Sequence, residues 1–315
     1  MIEHRAKTFV VTGANTGIGF ETAKALAQTG GRIILAVRNP VAGQAALQQI
    51  HADTGNGNLS VQTLDLADLS SIQHAAKTLT EEPRIDVLVN NAGLGVAKNG
   101  TTKDGFDLVV GTNHFGTFAL TEGLMSSLLA TARQHGEARI INLSSAAHQF
   151  ARSFDPANLF PEKRGMARDA YSESKLMNLL HVRELARRYG RMGVRAHAVH
   201  PGFVNSDFGR SQHFPGAWQA LFLLTRPLQI STEKGAKTTV AAALSDDGAW
   251  NNGLYWDKEK PATPTLPEDP DKAARALWDT TVSALTEKGF LVTRDEADDV
   301  DLMASPTSTL FPNGL

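Results

Sequence analysis

The chain has 315 residues, 42% of them hydrophobic and 20% charged, with 31 Lys and Arg against 33 Asp and Glu for a formal charge of -2. That composition supports a large buried core and excludes wholesale disorder, and the near-balanced charge supplies no basic surface for nucleic acid or anionic lipid. There is no cysteine, which removes disulfides, thiolate metal sites and cysteine nucleophiles; with no apolar run of the roughly 18 residues that span a bilayer, a soluble, cytoplasmic protein without a targeting segment is expected.

In chain order, short β-branched runs alternate with longer Ala-, Leu-, Lys- and Glu-rich stretches at helical spacing, the pattern of βαβ units. Strands are predicted at Thr8–Thr12, Arg32–Val37, Leu59–Leu64, Val87–Asn90, Arg139–Leu143, Val194–Val199 and Gly253–Trp256. Helical segments are predicted to begin near Gly19, Ala42, Ser70, Phe106, Ala170 and Thr232. Most of the runs are apolar throughout rather than alternating, as in strands covered by helices on both faces. The expected architecture is α/β: a doubly wound, Rossmann-type parallel sheet of seven strands flanked by helices.

Two segments break the alternation. Ala146 to Asp169, with Pro156, Pro161 and Gly165, reads as a long loop of the kind that lies beside functional sites. Asn205 to Ile230 contains the apolar stretch Phe214–Leu224, which reads as a lid, with a subunit interface or a peripheral membrane contact as the other uses of such a surface. Residues 1–290 are expected to form one domain carrying this insertion at about 205–230, and the acidic, then Pro/Ser/Thr-rich tail 291–315 is expected to be loosely attached.

Gly13, Gly17 and Gly19 fall at the turn from the first strand into the first helix. Bare backbone there can approach a pyrophosphate and turn helix N-terminal amides toward its charge. Arg38, ending the second strand, offers a planar cation for a 2′-phosphate where an acidic residue would bind a ribose hydroxyl, so NADP(H) is the expected cofactor. Tyr171 and Lys175 are one turn apart on one helix face. A nearby ammonium favours phenolate, so Lys175 is expected to bring Tyr171 toward working pH. His114, His148 and His200 lack close pairing, so packing or hydrogen bonding is expected rather than a metal site.

The spacing G-x-x-x-G-x-G at Gly13–Gly19 is followed in order by Asn90-Asn-Ala-Gly93, Asn113, Ser145 with Tyr171-x-x-x-Lys175, and Pro201-Gly202-Phe-Val204-Asn-Ser206. This series resembles the classical short-chain dehydrogenase/reductase family. Asn113-His-Phe-Gly, Glu173-Ser-Lys-Leu-Met-Asn and a late Ala-Leu-Trp278 helix resemble its retinol-dehydrogenase-like branch.

The resemblance implies hydride transfer between NADP(H) and a carbonyl or alcohol, with Tyr171 as general acid/base, Ser145 polarising the substrate oxygen, Lys175 on the nicotinamide ribose, and Asn113 kinking its helix in a proton relay. Ser145 rather than Ser144 matches the family serine by its place in the strand. The interval of 26 residues from Ser145 to Tyr171 is about twice the family's usual spacing. The implied cofactor set is Gly13, Asn15, Thr16, Gly17, Ile18, Gly19, Arg38, Asp65, Leu66, Asn90, Ala92, Gly93, Tyr171, Lys175, Pro201, Gly202, Val204 and Ser206. Asp65 resembles the adenine-contacting acid or else caps the helix after the third strand.

The aromatic and aliphatic insertion points to an apolar small-molecule substrate such as a retinoid, steroid, fatty aldehyde or polyketide ketone. A homo-oligomer, a non-catalytic NADP-sensing regulator and a protochlorophyllide-type C=C reductase stay open as alternatives. The epimerases and dehydratases of the extended subfamily normally carry G-x-x-G-x-x-G and a larger C-terminal domain, neither of which is seen.

Overall fold

The computed structural model describes residues 6–95, 100–151, 154–160, 170–204 and 229–290. The lid expected at about 205–230 lies outside them except for its last two residues, as do the tail 291–315 and parts of the loop before the Tyr171 helix.

Strands β1 (Thr8–Thr12), β2 (Arg32–Val37), β3 (Leu59–Thr63), β4 (Val87–Asn90), β5 (Ala138–Leu143), β6 (Val194–His200), β7 (Leu254–Asp257) and β8 (Lys260–Ala262) form one sheet in the order β3-β2-β1-β4-β5-β6-β7-β8. β1 to β7 pair in parallel and β8 returns antiparallel to β7. The eighth strand corrects the expected seven. It follows a two-residue turn, Lys258-Glu259, in which both residues have positive φ, 49° and 65°. Such turns usually announce themselves by Asn-Gly or Asp-Gly, and here no such signal is written.

Alternation along the strands divides the core in two. Val10, Ile34, Leu88 and Ile140 pack into one layer, while Phe9, Val11, Ile33, Leu35, Val89 and Ile141 pack into the other. Both faces are thus apolar, which explains the unbroken hydrophobic runs.

The helices on one layer are α1 (Gly17–Ala27), α2 (Pro40–Thr54), α8 (Thr232–Leu244) and α9 (Asp246–Trp250); the other α-helices among the described residues are α3 (Leu69–Leu79), α4 (Leu108–Val110), α5 (Thr117–Gly123), α6 (Met125–His135), α7 (Ala170–Tyr189) and α10 (Pro270–Glu287). Asn39 closes the start of α2 by accepting the Val41 and Ala42 amides at 3.0 and 3.1 Å, and Pro40 presets the first turn. Asp68, Ser231 and Asp269 cap α3, α8 and α10 in the same way. Helix α1 begins at Thr16 with no side-chain cap and no acidic residue in its first turn.

Between α4 and α5 the helix widens into a π turn at Gly111–Gly116. A Cβ at Gly111 would stand 2.3 Å from Thr102 Cγ2, and one at Gly116 would stand 2.2 Å from the Leu66 carbonyl oxygen. The two glycines therefore let the widened segment press against the Thr102 side chain and the Leu66 backbone, and Asn113 sits in its middle.

Candidate active site

Chain direction across the sheet reverses between β1 and β4, which neighbour each other with Val11 opposite Val89. Loops leaving these two strands splay apart and open a crevice at their carboxyl ends, the ligand position in doubly wound sheets. The glycine loop leaves β1 there. Gly13 and Gly17 adopt φ of 65° and 58°, a left-handed backbone that side chains resist. A Cβ at Gly19 would lie 2.4 Å from both the Gly13 carbonyl oxygen and Asn91 Nδ2. The loop is pinned to the β4 loop by Thr12, whose hydroxyl accepts the Asn91 and Ala92 amides at 3.0 and 2.9 Å, and by Asn91 Nδ2 donating to the Thr12 carbonyl at 2.8 Å.

Uncapped amides at the start of α1 suit a pyrophosphate, because they carry the positive end of the helix dipole and have no competing carboxylate. Arg38 is exposed at the end of β2, the neighbour of β1. Asn15, Thr16 and Ile18 line the loop between the glycines. Ile18 and the later loop both lie against Gly235 of α8, where a Cβ would touch Val204 Cγ2 at 2.7 Å, the Pro201 carbonyl at 3.3 Å and Ile18 Cγ1 at 3.4 Å. Gly202 turns that loop with φ 86°, and Val204 bridges to Ile230. Ser206 lies outside the described residues. These groups fit a dinucleotide.

Asn113 is buried, with 1% exposure. Its Oδ1 accepts the Leu94 amide at 2.7 Å, and its Nδ2 donates to the Leu94 carbonyl at 2.9 Å and to Ser174 Oγ at 3.0 Å. The Ser174 hydroxyl in turn donates to the Tyr171 carbonyl at 2.8 Å. The π turn is thereby tied to both the loop after β4 and the first turn of α7. Gly93 lies against this junction, where a Cβ would be 3.0 Å from Asn113 Oδ1 and 3.6 Å from Lys175 Nζ.

Lys175 is buried and its ammonium donates to the Leu143 carbonyl at 3.0 Å; burial pushes its pKa down to about 8. Tyr171 is partly buried against the core. Loss of solvent pushes the phenol up to about 12, against a smaller lowering by its hydrogen bond with Ser145. The net direction is opposite to that expected from Lys175. The ammonium lies 5.5 Å from the centroid of the Tyr171 ring, and withdrawal from water outweighs it.

The two serines after β5 diverge. Ser144 Oγ donates to the Lys175 carbonyl at 2.8 Å, whereas Ser145 turns to Tyr171 and accepts the Ala147 amide at 3.2 Å. Asn90 points under the crevice: its Nδ2 donates to Thr121 Oγ1 at 3.0 Å and Asn142 Oδ1 at 2.8 Å, and its side chain is buried. Asp65 accepts the Ala67 amide at 2.9 Å. Asp68 rather than Asp65 caps α3, because its oxygen reaches the Ser70 and Ser71 amides. Leu66 is buried beneath Gly116. His114 bonds Thr281 at 2.8 Å deep in the core.

Sequence reasoning passed over Thr12, Asn91 and Ser174. Asn91 and Ser174 stand inside motifs and Thr12 directly before one, but two adjacent asparagines or a serine beside Lys175 do not reveal which one faces the crevice; only their partners do.

The fold and crevice define a dinucleotide-type α/β protein with a Tyr, Lys and Ser cluster at the switch point. Residues 7–213 match the model of the family described as short chain dehydrogenase. Retinol dehydrogenase 12 of Mus musculus is 39% identical over 280 residues, covering 89% of this chain and 86% of the relative. A crystal structure of an uncharacterised protein from Mycobacterium Paratuberculosis, 31% identical, superposes with a TM-score of 0.70 over 91% of this chain and 95% of that one. The NADPH-bound carbonyl reductase from chicken fatty liver, 25% identical, gives a TM-score of 0.62 over 83% of this chain and 100% of that one. This chain belongs to the short-chain dehydrogenase family of oxidoreductases, in its retinol-dehydrogenase-like branch.

Proposed function

We propose that the protein interconverts an apolar aldehyde or ketone and its alcohol with NADP(H), using Tyr171 as general acid/base. The observation that carries this reading is the Tyr171 phenol in hydrogen-bond contact with Ser145, on the helix that also places Lys175 against Gly93 at the mouth of the crevice. When bound, the nicotinamide ring supplies or accepts the hydride. Ser145 would hold the substrate oxygen by hydrogen bonding, and Tyr171 would give that oxygen its proton in reduction or take it in oxidation. With the phenol held near 12, the protonated form dominates at neutral pH, which suits carbonyl reduction.

Exposed Arg38 supports NADP(H) over NAD(H), because its guanidinium can take a 2′-phosphate. An apolar substrate is supported by the names of the retinol dehydrogenase relatives and by exposed Phe150 and Phe203 on the loops following Ser145 and Pro201. The test is NADPH oxidation with retinal and a panel of aldehydes and ketones, run beside Tyr171→Phe and Arg38→Asp. Tyr171→Phe is expected to abolish turnover while keeping NADPH affinity, and retained turnover refutes the assigned acid. Arg38→Asp is expected to weaken NADPH far more than NADH, and equal loss of both removes Arg38 from the phosphate role.

A further inference from the structure

Two imidazoles meet one peptide group, the one that follows Ser145. His148 Nδ1 lies 2.6 Å from the Ser145 carbonyl oxygen, and the Ala146 amide, the other half of the same peptide, donates to His200 Nδ1 at 3.2 Å. The carbonyl can only accept, so His148 Nδ1 carries a proton; its Nε2 is then bare and accepts the Thr265 amide at 3.2 Å. The Ala146 amide can only donate, so His200 Nδ1 is bare. Each ring thus has an acceptor nitrogen that protonation would abolish.

We propose that His148 and His200 are positioning residues that clamp the Ser145–Ala146 peptide from both sides and so hold the Ser145 hydroxyl on the Tyr171 phenol. The inference rests on the chemistry proposed above for Ser145 and Tyr171. Ser145 is the extended residue, φ -160° and ψ 155°, from which the 3-10 turn Ala146–Phe150 starts. The position of its short side chain therefore follows its backbone. The clamp ties that backbone to two remote parts of the chain: His200 ends β6, 54 residues from Ala146, and Thr265 is 117 residues from His148. Misplacing a reacting group by about 1 Å can cost roughly 100-fold in rate, so this anchoring bears on turnover rather than on folding alone.

The surroundings keep both rings neutral near physiological pH. His148 is 1% exposed, with the Tyr255 ring edge-on at 5.5 Å. Burial lowers its pKa, against a smaller raising by the bond to the Ser145 carbonyl. His200 faces Asp257, Lys258 and His148; burial is the largest influence and lowers its pKa, Asp257 opposes it, and the Lys258 cation, with His148 whenever that ring takes a proton, adds to it. Protonating His148 would turn Nε2 against the Thr265 amide, and protonating His200 would turn Nδ1 against the Ala146 amide. The clamp should release as pH falls below the usual imidazole range.

The experiment compares His148→Ala, His200→Ala and His200→Asn with the wild-type full chain, using NADPH and retinal. Either Ala variant should lower kcat roughly tenfold or more, with NADPH affinity by fluorescence titration within about twofold of wild type. His200→Asn, whose carboxamide oxygen can replace Nδ1 as acceptor and does not titrate, should recover most of kcat and move the acid limb of the kcat profile to lower pH. Wild-type kcat in both Ala variants overturns the proposal, as does a loss of kcat accompanied by equal loss of NADPH binding and a lower melting temperature. Should an Ala variant not fold, the His200→Asn profile decides, and an unmoved acid limb overturns the clamp. Tyr171→Phe separates the two levels: an inactive Tyr171→Phe beside unaffected histidine variants overturns the clamp alone, whereas an active Tyr171→Phe overturns both.

Discussion

The Lys175 ammonium lies 5.5 Å from the centroid of the Tyr171 ring and sends its hydrogen bond to the Leu143 carbonyl, 3.0 Å away. Both ionisable groups of the pair are therefore governed first by burial, the ammonium held at about 8 and the phenol at about 12. Two pH dependences follow. In the proposed reaction, carbonyl reduction would consume the phenol proton and should stay flat from pH 7 to 9, while alcohol oxidation would need the phenolate and should climb by up to about tenfold per pH unit for a single ionisation. Steady-state kcat profiles in the two directions check this, and an oxidation rate that is level across the range would remove Tyr171 as base.

Stability carries the same signature with a definite sign. Between about 8 and the ordinary lysine value of 10.5, folded Lys175 has lost its proton while unfolded Lys175 keeps it. The unfolded state binds more protons there, so this group makes the protein more stable as pH rises from 8 to 10. Lys175→Met should reduce that rise relative to wild type, measured by urea midpoints at the two pH values.

Gly19→Ala should damage both the fold and the cofactor loop. Its Cβ would fall 2.4 Å from the Gly13 carbonyl and from Asn91 Nδ2, and neither backbone nor a side chain already bonded to Thr12 can yield easily. Overpacking of this kind costs about 1–3 kcal/mol. Urea denaturation should show that loss, and NADPH titration should show affinity weakened by roughly tenfold or more.

Ser174→Ala removes the acceptor for Asn113 Nδ2 and the donor to the Tyr171 carbonyl. Asn113 keeps its two bonds to Leu94 while its Nδ2 and the Tyr171 carbonyl each lose a partner, so the expected loss is about 1–3 kcal/mol, the cost of leaving buried polar groups unmatched. Asn113→Leu breaks all three and should cost more, with a fall in kcat as well. Thermal melts and kcat for the two variants, ranked against each other, test the order.

The β7–β8 turn offers a gain. Lys258 and Glu259 both hold left-handed φ, which costs residues with a Cβ roughly 1–2 kcal/mol each. The pair Lys258→Asn and Glu259→Gly should stabilise the protein by about 1 kcal/mol after the entropy of the added glycine is counted. A urea midpoint shift with unchanged kcat would bear this out.

What the sequence by itself determined was whatever repeats or closes within a few residues. The apolar runs and helical spacing gave the parallel sheet its first seven strands, the glycines of the first turn marked a nucleotide crevice, and the four-residue interval placed Tyr171 and Lys175 on one helix. Tertiary structure decided the rest, because it turns on partners far along the chain. Asn90 and Asn91 are neighbours with the same chemistry, yet packing sends one to Thr121 and Asn142 beneath the sheet end and the other across to Thr12 in the crevice. The phenol's high pKa arises from the walls that fold around Tyr171, and its spacing from Lys175 does not encode it. The eighth strand likewise forms through strained turn residues held by β7 pairing and by the Thr238 hydroxyl accepting the Glu259 amide. Short-range geometry is set by bond rotation and periodicity, whereas burial and long-range hydrogen bonding exist only once distant segments have met.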